Sequence, residues 1–254
     1  MWTFLKMSLF SVVVILFGCG QDNKDSTANN PAESHKEGTV TYATLDVRDY
    51  FFPADSIAPY IYVYADEHKP LDEKVFRIYT LKTAEKHQLI VEKFNASFRI
   101  TEGYTYDLDD DLNIVDHMIV DGDGLKRKAN LSSTALFLSD SVSKAVFISD
   151  FPAPMESYTA IYKSTKLFKK RMNEYEILGQ KTAAISVNNE IVLSFVDAEV
   201  QDGNANGVDV TEVYAKGYGL TEWYTENKKI HYKLKRILTN DWWKEHAQGP
   251  TVKM

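Results

Sequence analysis

Tyr60-Ile61-Tyr62-Val63-Tyr64 alternates aromatic and β-branched residues, side chains that suit an extended, pleated backbone. Successive side chains of a strand face opposite sides, so Tyr60, Tyr62 and Tyr64 share one face, which is either core or a platform for binding. The same signature recurs in Val75 to Leu81, Leu89 to Phe94, Phe98 to Tyr106, Ile114 to Val120, Ala145 to Ser149 and Tyr158 to Tyr162. It continues in Ala183 to Val187, Ile191 to Val200, Thr211 to Ala215, Leu220 to Tyr224 and Ile230 to Leu238. Turn chemistry separates many of these runs, at Asp121-Gly122-Asp123-Gly124, Asn188-Asn189, Asp202-Gly203 and Thr225-Glu226-Asn227-Lys228. Several spacings leave room only for hairpins, because a parallel crossover needs about a dozen residues or more. The expected fold is mainly β, an antiparallel meander forming a curved sheet or barrel. One or two short helices complete it. Ser164 to Tyr175 carries Leu167, Met172 and Tyr175 loosely at helical spacing beside a basic face, and Asn240 to Ala247 opens on a capping residue followed by Trp242 and Trp243.

Outward from these strands, the N-terminus has a different character. Lys6 and the α-amino group precede the apolar run Ser8 to Phe17, and Gly18 is a small residue before Cys19, the pattern of a secretory signal. The run is about half the ~20 residues that a bilayer-spanning helix needs. Leu16-Phe17-Gly18-Cys19 resembles the lipobox of bacterial lipoproteins, although Phe17 stands where a small residue is more usual. The resemblance implies a diacylglyceryl group on the Cys19 thiol, cleavage just before it, and two or three acyl chains such as palmitate. One chain binds a membrane only marginally, whereas several anchor it stably. Gly20 replaces the Asp that retains enterobacterial lipoproteins in the inner membrane, so the resemblance implies the outer membrane. The acidic start Gln21 to Asp25 leaves the leaflet open, periplasmic or surface-exposed.

Gln21 to Glu37 offers almost nothing to bury and is rich in Asn, Asp, Ser and Lys, the composition of a flexible tether. The expected division is a signal peptide over 1–18, a tether lipidated at Cys19 over 19–37, and one β-rich domain over 38–254. The formal net charge of the 254 residues is −7, and loss of Lys6 with the signal makes the mature chain one unit more negative. An acidic surface of this kind disfavours nucleic acid as a partner. Cys19 is the single Cys. Once lipidated, it leaves no thiol for a disulfide, a nucleophile or a thiolate metal site.

Candidate chemistry is sparse. Asp202-Gly203-Asn204-Ala205-Asn206-Gly207 matches the first half of an EF-hand calcium loop. Asp202, Asn204, Asn206 and Asp209 are thus candidate ligands of a weak calcium site, the one cofactor considered. The second half departs from the pattern, since Val213 stands where the bidentate Glu belongs and Glu212 comes one residue early. The competing reading is a polar hairpin loop. Asp107, Asp109, Asp110, Asp111, Asp116, Asp121 and Asp123 form an acidic region that is either solvated turns or a source of paired carboxylates for glycan chemistry. The six His residues form no zinc-binding spacing. His117 beside Asp116 is the one suggestive pair, but neighbours on a strand face apart. Lys163, Lys166, Lys169, Lys170 and Arg171 make a basic stretch that reads as a solvated helix or loop face, or as a contact for phosphate head groups or an acidic partner.

Tyr214-Ala215-Lys216-Gly217-Tyr218-Gly219-Leu220 resembles a stretch found near the C-terminus of uncharacterised β-rich envelope lipoproteins of Gram-negative bacteria. That resemblance implies architecture alone. Gly217 and Gly219 would let the backbone bend or admit a close neighbour.

These readings point first to a lipid-anchored, non-enzymatic binding or scaffold module of the cell envelope. An alternative is a carrier holding an apolar ligand in a half-barrel cavity, and another is a carboxylate-dependent glycan-acting enzyme. The partner would be an envelope protein, a glycan or an apolar molecule, with the membrane engaged through Cys19. Replacing Cys19 by Ser should leave an unlipidated precursor. Metabolic labelling with a palmitate analogue checks this, and equal label in the variant would exclude Cys19 as the anchor.

Overall fold

The structure is a computed structural model that describes residues 45–121, 124–139, 142–152, 158–197 and 204–247. Thirteen strands form one sheet: β1 (Tyr60–Asp66), β2 (Glu73–Lys82), β3 (His87–Phe94), β4 (Ile100–Asp107), β5 (Ile114–Val120), β6 (Lys126–Lys128) and β7 (Asn130–Thr134). The remainder are β8 (Lys144–Pro152), β9 (Tyr158–Ile177), β10 (Gln180–Asp197), β11 (Asn204–Ala215), β12 (Gly219–Thr225) and β13 (His231–Leu238), followed by one helix, α1 (Asn240–His246). Every ladder is antiparallel, and the spatial order runs β6-β5-β4-β3-β2-β1-β13-β12-β11-β10-β9-β8-β7. The expected meander is therefore present, as a nearly closed barrel.

Two joints close it. The first and last strands pair, Ile61 with Leu238 through Asp66 with Tyr232, with a register shift between Val63 and Tyr64. The two ends of the sheet, β6 and β7, are separated by Ala129 alone. One extended segment thus pairs first with β5, through Met118 with Lys128, and then with β8, through Leu131 with Ser149. The Ala129 N–H donates to His117 O at 2.9 Å, which stitches the seam.

The ladders fix which side chains face inward. Tyr62 is opposite Phe76, Ile78 opposite Val91, Val91 opposite Tyr104, and Tyr104 opposite His117. This face makes the main core, with Tyr62 and Tyr64 almost fully buried. The Tyr60-Tyr62-Tyr64 face is therefore core. The opposite face of β1 is buried as well: Ile61 and Val63 pack with Val75, Phe94 and Trp243 beneath α1. The helix expected from Asn240 is present. Its N-cap is Thr239, which makes no side-chain capping bond.

One end of the barrel is plugged. A short 3-10 helix, Val47–Tyr50, opens the described chain. Asp49 O accepts from Gly217 N in the β11–β12 turn, and the Arg48 guanidinium donates to Leu108 O in the β4–β5 turn. Phe51 then rests on Tyr106 and Phe137, at ring-centroid distances of 4.9 and 5.1 Å. Phe52 rests on Tyr62 at 5.7 Å. Leu136, Phe137 and Leu138, between β7 and β8, are buried in the same plug.

Two expectations are corrected. Ser164 to Tyr175 lies within strand β9, where it pairs on both sides, with β8 and with β10. Its loose helical spacing is outweighed by a period-two alternation in which Ser164 and Lys166 are buried while Lys163 and Leu167 are exposed. Asn188-Asn189 is the middle of the 18-residue β10 and makes no turn. Asn189 is tolerated there because its amide is hydrogen-bonded to Ser164 and Glu212.

Gly219 begins β12 with φ +78, and a Cβ on it would stand 2.6 Å from the Phe52 ring and 3.0 Å from Phe52 Cα. This is the close neighbour that a glycine there admits. Gly219→Ala should cost about 1–3 kcal/mol for the backbone conformation alone, with the Phe52 clash in addition. A chemical-denaturation double-mutant cycle with Phe52→Ala should show the clash as a less-than-additive loss.

Candidate functional site

Inside the barrel the plug leaves a cavity of about 300 Å³, at the small end of the range for ligand sites, about 300–1,000 Å³. Phe51, Phe52, Leu136 and Phe137 close it at the plug end. Asn95, Thr101 and Asp121 line it towards the end where β3 hands over to β4 and β5 to β6. Its wall is dominated by rings and aliphatic side chains, among them Phe76, Tyr106, Val210 and Trp223. Trp223 is itself sandwiched, nearly parallel to both Phe76 and Tyr232.

Across this apolar wall runs a belt of charge, built on both sides of the barrel by inward positions of six strands. On β3, β4 and β5, Lys93 donates to Glu102 Oε2 at 2.7 Å and lies over the rings of Tyr104 and Phe76. Glu102 Oε1 accepts from the Tyr104 hydroxyl and stands 3.2 Å from His117 Nε2. On β9 and β11, Lys166 Nζ lies 2.8 Å from Glu212 Oε2 and donates to the Tyr214 hydroxyl at 2.7 Å. Tyr214 donates to Glu212 Oε2 at 2.5 Å, and Asn189 Nδ2 of β10 donates to Oε1 at 2.8 Å. Buried carboxylates are strongly disfavoured without such partners. Burial is the largest influence on Glu102 and acts to raise its pKa, but Lys93 and His117 outweigh it and hold the carboxyl well below its usual range. Burial likewise opposes Lys166, Tyr214 and Asn189 at Glu212, and again the partners prevail, so its pKa is lowered.

His117 also lies 2.9 Å from Ser149 Oγ through Nδ1. Ser149, His117 and Glu102 therefore share the connectivity of a nucleophilic triad. Ser149 is fully buried and forms no part of the cavity wall, so no substrate carbonyl reaches it. The three groups hold the His117 ring in place.

The residues singled out in the sequence lie elsewhere. Cys19 and Asp202 fall outside the described residues. Asn204, Asn206 and Asp209 belong to β11, where Asn206 is opposite Leu193 and Asp209 opposite Glu190. Odd spacing along a strand sends Asn206 and Asp209 to opposite faces. No group of three or more His, Cys, Asp or Glu among the described residues is arranged to hold a metal ion. In the acidic region, Asp109 pairs with His87, Asp111 with Arg48, Asp116 with Lys128 and Asp121 with Arg127. Asp109 and Asp111 are solvent-exposed turn residues rather than walls of a cleft, and Asp123 lies outside the described residues. In the basic stretch, Lys163, Lys169, Lys170 and Arg171 are exposed on a strand, whereas Lys166 points inward. No helix of the described residues is long and apolar enough to cross a membrane.

The sequence does not single out Lys93 and Glu102, and it offers Lys166 and Glu212 only in other roles, in a basic stretch and beside the calcium-like loop. A signal did exist: each stands at the parity of its strand that otherwise holds core residues, as Glu212 does between Val210 and Tyr214. No family model and no curated protein matches the sequence. A crystal structure titled as a "putative lipoprotein" from Parabacteroides distasonis matches 74% of this chain and 98% of its own, at 14% identity and a TM-score of 0.31.

The belt sets the acid sensitivity of the fold. Glu102 and Glu212 titrate below the ordinary Glu value of 4.5 when folded, so the folded state binds fewer protons there than the unfolded state. Their stabilisation is complete above that value and is lost as pH falls from it towards the folded pKa values. Glu92, raised by burial against the pull of Arg77, works in the opposite sense. The melting temperature should fall progressively below about pH 4.5. Glu212→Gln should be less stable than wild type at pH 7 yet lose less on acidification.

Proposed function

We propose that this chain is a lipid-anchored protein of the outer membrane, held through Cys19, whose barrel receives one small molecule with both apolar and polar parts. The cavity of about 300 Å³ carries this reading, because it combines an aromatic wall with a central belt of paired charges. A wall of this composition suits an apolar body, and the belt suits a polar group attached to it. The volume is too small for the several acyl chains of a membrane lipid, so a compact ligand is favoured over a diacyl lipid. The lipobox resemblance at Leu16 to Cys19 supports the anchor, and Gly20 supports the outer membrane. The scaffold reading has no comparable feature behind it.

Binding can be tested with a neutral solvatochromic naphthalene dye and the full chain in lipid nanodiscs, with protein-free nanodiscs as the blank. Saturable uptake at one dye per chain is expected, with emission shifted to the blue. Val210→Trp, which fills the cavity from β11, should suppress it while the chain still melts cooperatively. Uptake that is not saturable, or that is unchanged in Val210→Trp, would dismiss the cavity as a binding site.

A further inference from the structure

The belt is balanced in charge but unbalanced in hydrogen bonding. An ammonium group carries three donors. Lys166 directs two, to Tyr214 and Glu212. Lys93 directs one to Glu102, with the faces of two rings beside it. Asn189 gives one amide proton to Glu212 and keeps the other. Tyr106, 7% exposed, lines the cavity, and its hydroxyl makes no hydrogen bond among the described residues. Burial pushes that hydroxyl up, and Glu212 and Glu102 add to the push, so it stays protonated and able to donate.

The acceptors are nearly all taken. Glu102 is contacted by Tyr104, His117 and Lys93, and Glu212 by Asn189, Tyr214 and Lys166. A carboxylate has about four lone-pair sites, so each has little left to offer. Donors therefore remain in surplus around Tyr106. Charge points to a further limit. Lys93 and Lys166 each have a Glu, Lys74 has Asp72, and Arg127 has Asp121. An added anion would meet two inward carboxylates in a medium that screens poorly, and an added cation would meet the ammonium groups.

We infer that the centre of the cavity recognises an uncharged hydrogen-bond acceptor, the carbonyl of a ketone, ester or amide, carried on an apolar body. The inference rests on the binding role proposed above and adds the chemical class of the ligand. The Tyr106 hydroxyl and the remaining Lys166 proton are the donors that meet the carbonyl oxygen. The apolar body lies against Phe51, Phe137 and Phe76.

Three probes of similar shape separate the alternatives: 2-acetylnaphthalene, 2-ethylnaphthalene and 2-naphthoate. Equilibrium dialysis of the full chain in lipid nanodiscs, with protein-free nanodiscs subtracted, gives each affinity. The acetyl compound should bind about tenfold tighter than the ethyl compound, the scale of one satisfied neutral hydrogen bond, and tighter than the naphthoate. Tyr106→Phe keeps the shape and breaks no internal bond. It should lower acetyl affinity several-fold and leave ethyl affinity unchanged. The paired change Lys166→Met with Glu212→Leu, which leaves no buried charge alone, should also narrow the gap between acetyl and ethyl. Equal binding of acetyl and ethyl, tightest binding of the naphthoate, or no effect of Tyr106→Phe would overturn the carbonyl inference while the cavity still binds. Failure of all three probes to bind would overturn the binding role itself, and this inference with it.

Discussion

Everything in this barrel depends on β1 pairing with β13. An open antiparallel sheet presents two rows of unpaired backbone groups, which invite association with other chains. Joining the first strand to the last removes those edges at the termini, and the β6–Ala129–β7 segment deals with the remaining two by sharing one extended stretch between β5 and β8. Closure also defines an inside. Residues of one parity from every strand then face one another across a common interior, and their packing no longer depends on a second sheet. Over β1 to β4 and β13 the outer parity is covered by α1 with Trp243.

That interior is not filled as a purely hydrophobic one would be. Two Lys–Glu pairs sit among the rings, on opposite sides of the cavity. Taking charges out of water is costly, and apolar replacement of such a pair is often neutral or stabilising. Stability alone is therefore a poor account of why the belt is there. Its hydrogen bonds run through Tyr104, Tyr214, Asn189 and His117, which fixes the carboxylates in orientation as well as in charge. A fixed arrangement of this kind discriminates between ligands more sharply than an oily pocket does, because a mismatched polar group leaves a hydrogen-bonding partner unsatisfied.

Much of the fold was legible in the sequence because period-two alternation is a local property. The strand runs from Tyr60 onward and the hairpin spacings needed no knowledge of the partner strand. What resisted reading was decided at a distance. Lys126 to Thr134 lacks an apolar alternation, and its strands exist because β5 and β8 lie on either side. In Ser164 to Tyr175 the loose helical spacing of Leu167, Met172 and Tyr175 beside a basic face suggests a helix, and only Glu212 and Tyr214 on β11 explain why Lys166 turns inward. The candidate site was hidden for the same reason. Lys166 and Glu212 are far apart in the chain, Lys93 and Glu102 face each other across one hairpin, and no short motif joins the two pairs. By contrast, Gly219 was readable as a place of close approach, although its neighbour, Phe52, came from the unrecognised N-terminal plug.

The pairing of the two terminal strands also governs how the barrel can form. All other ladders join strands that follow one another along the chain, so hairpins can accumulate locally. The β1–β13 ladder instead joins residues such as Ile61 and Leu238, and contacts of such long sequence separation slow folding. A chain emerging from its N-terminus keeps the edge of β1 unpaired until the last strand arrives, a period in which exposed edges invite aggregation. Until then the meander is an open ribbon, with Glu102 and Glu212 reachable by water and their desolvation not yet complete. The final hairpin, β12 with β13, therefore completes the wall of the container, and the cavity exists only once Leu238 stands beside Ile61.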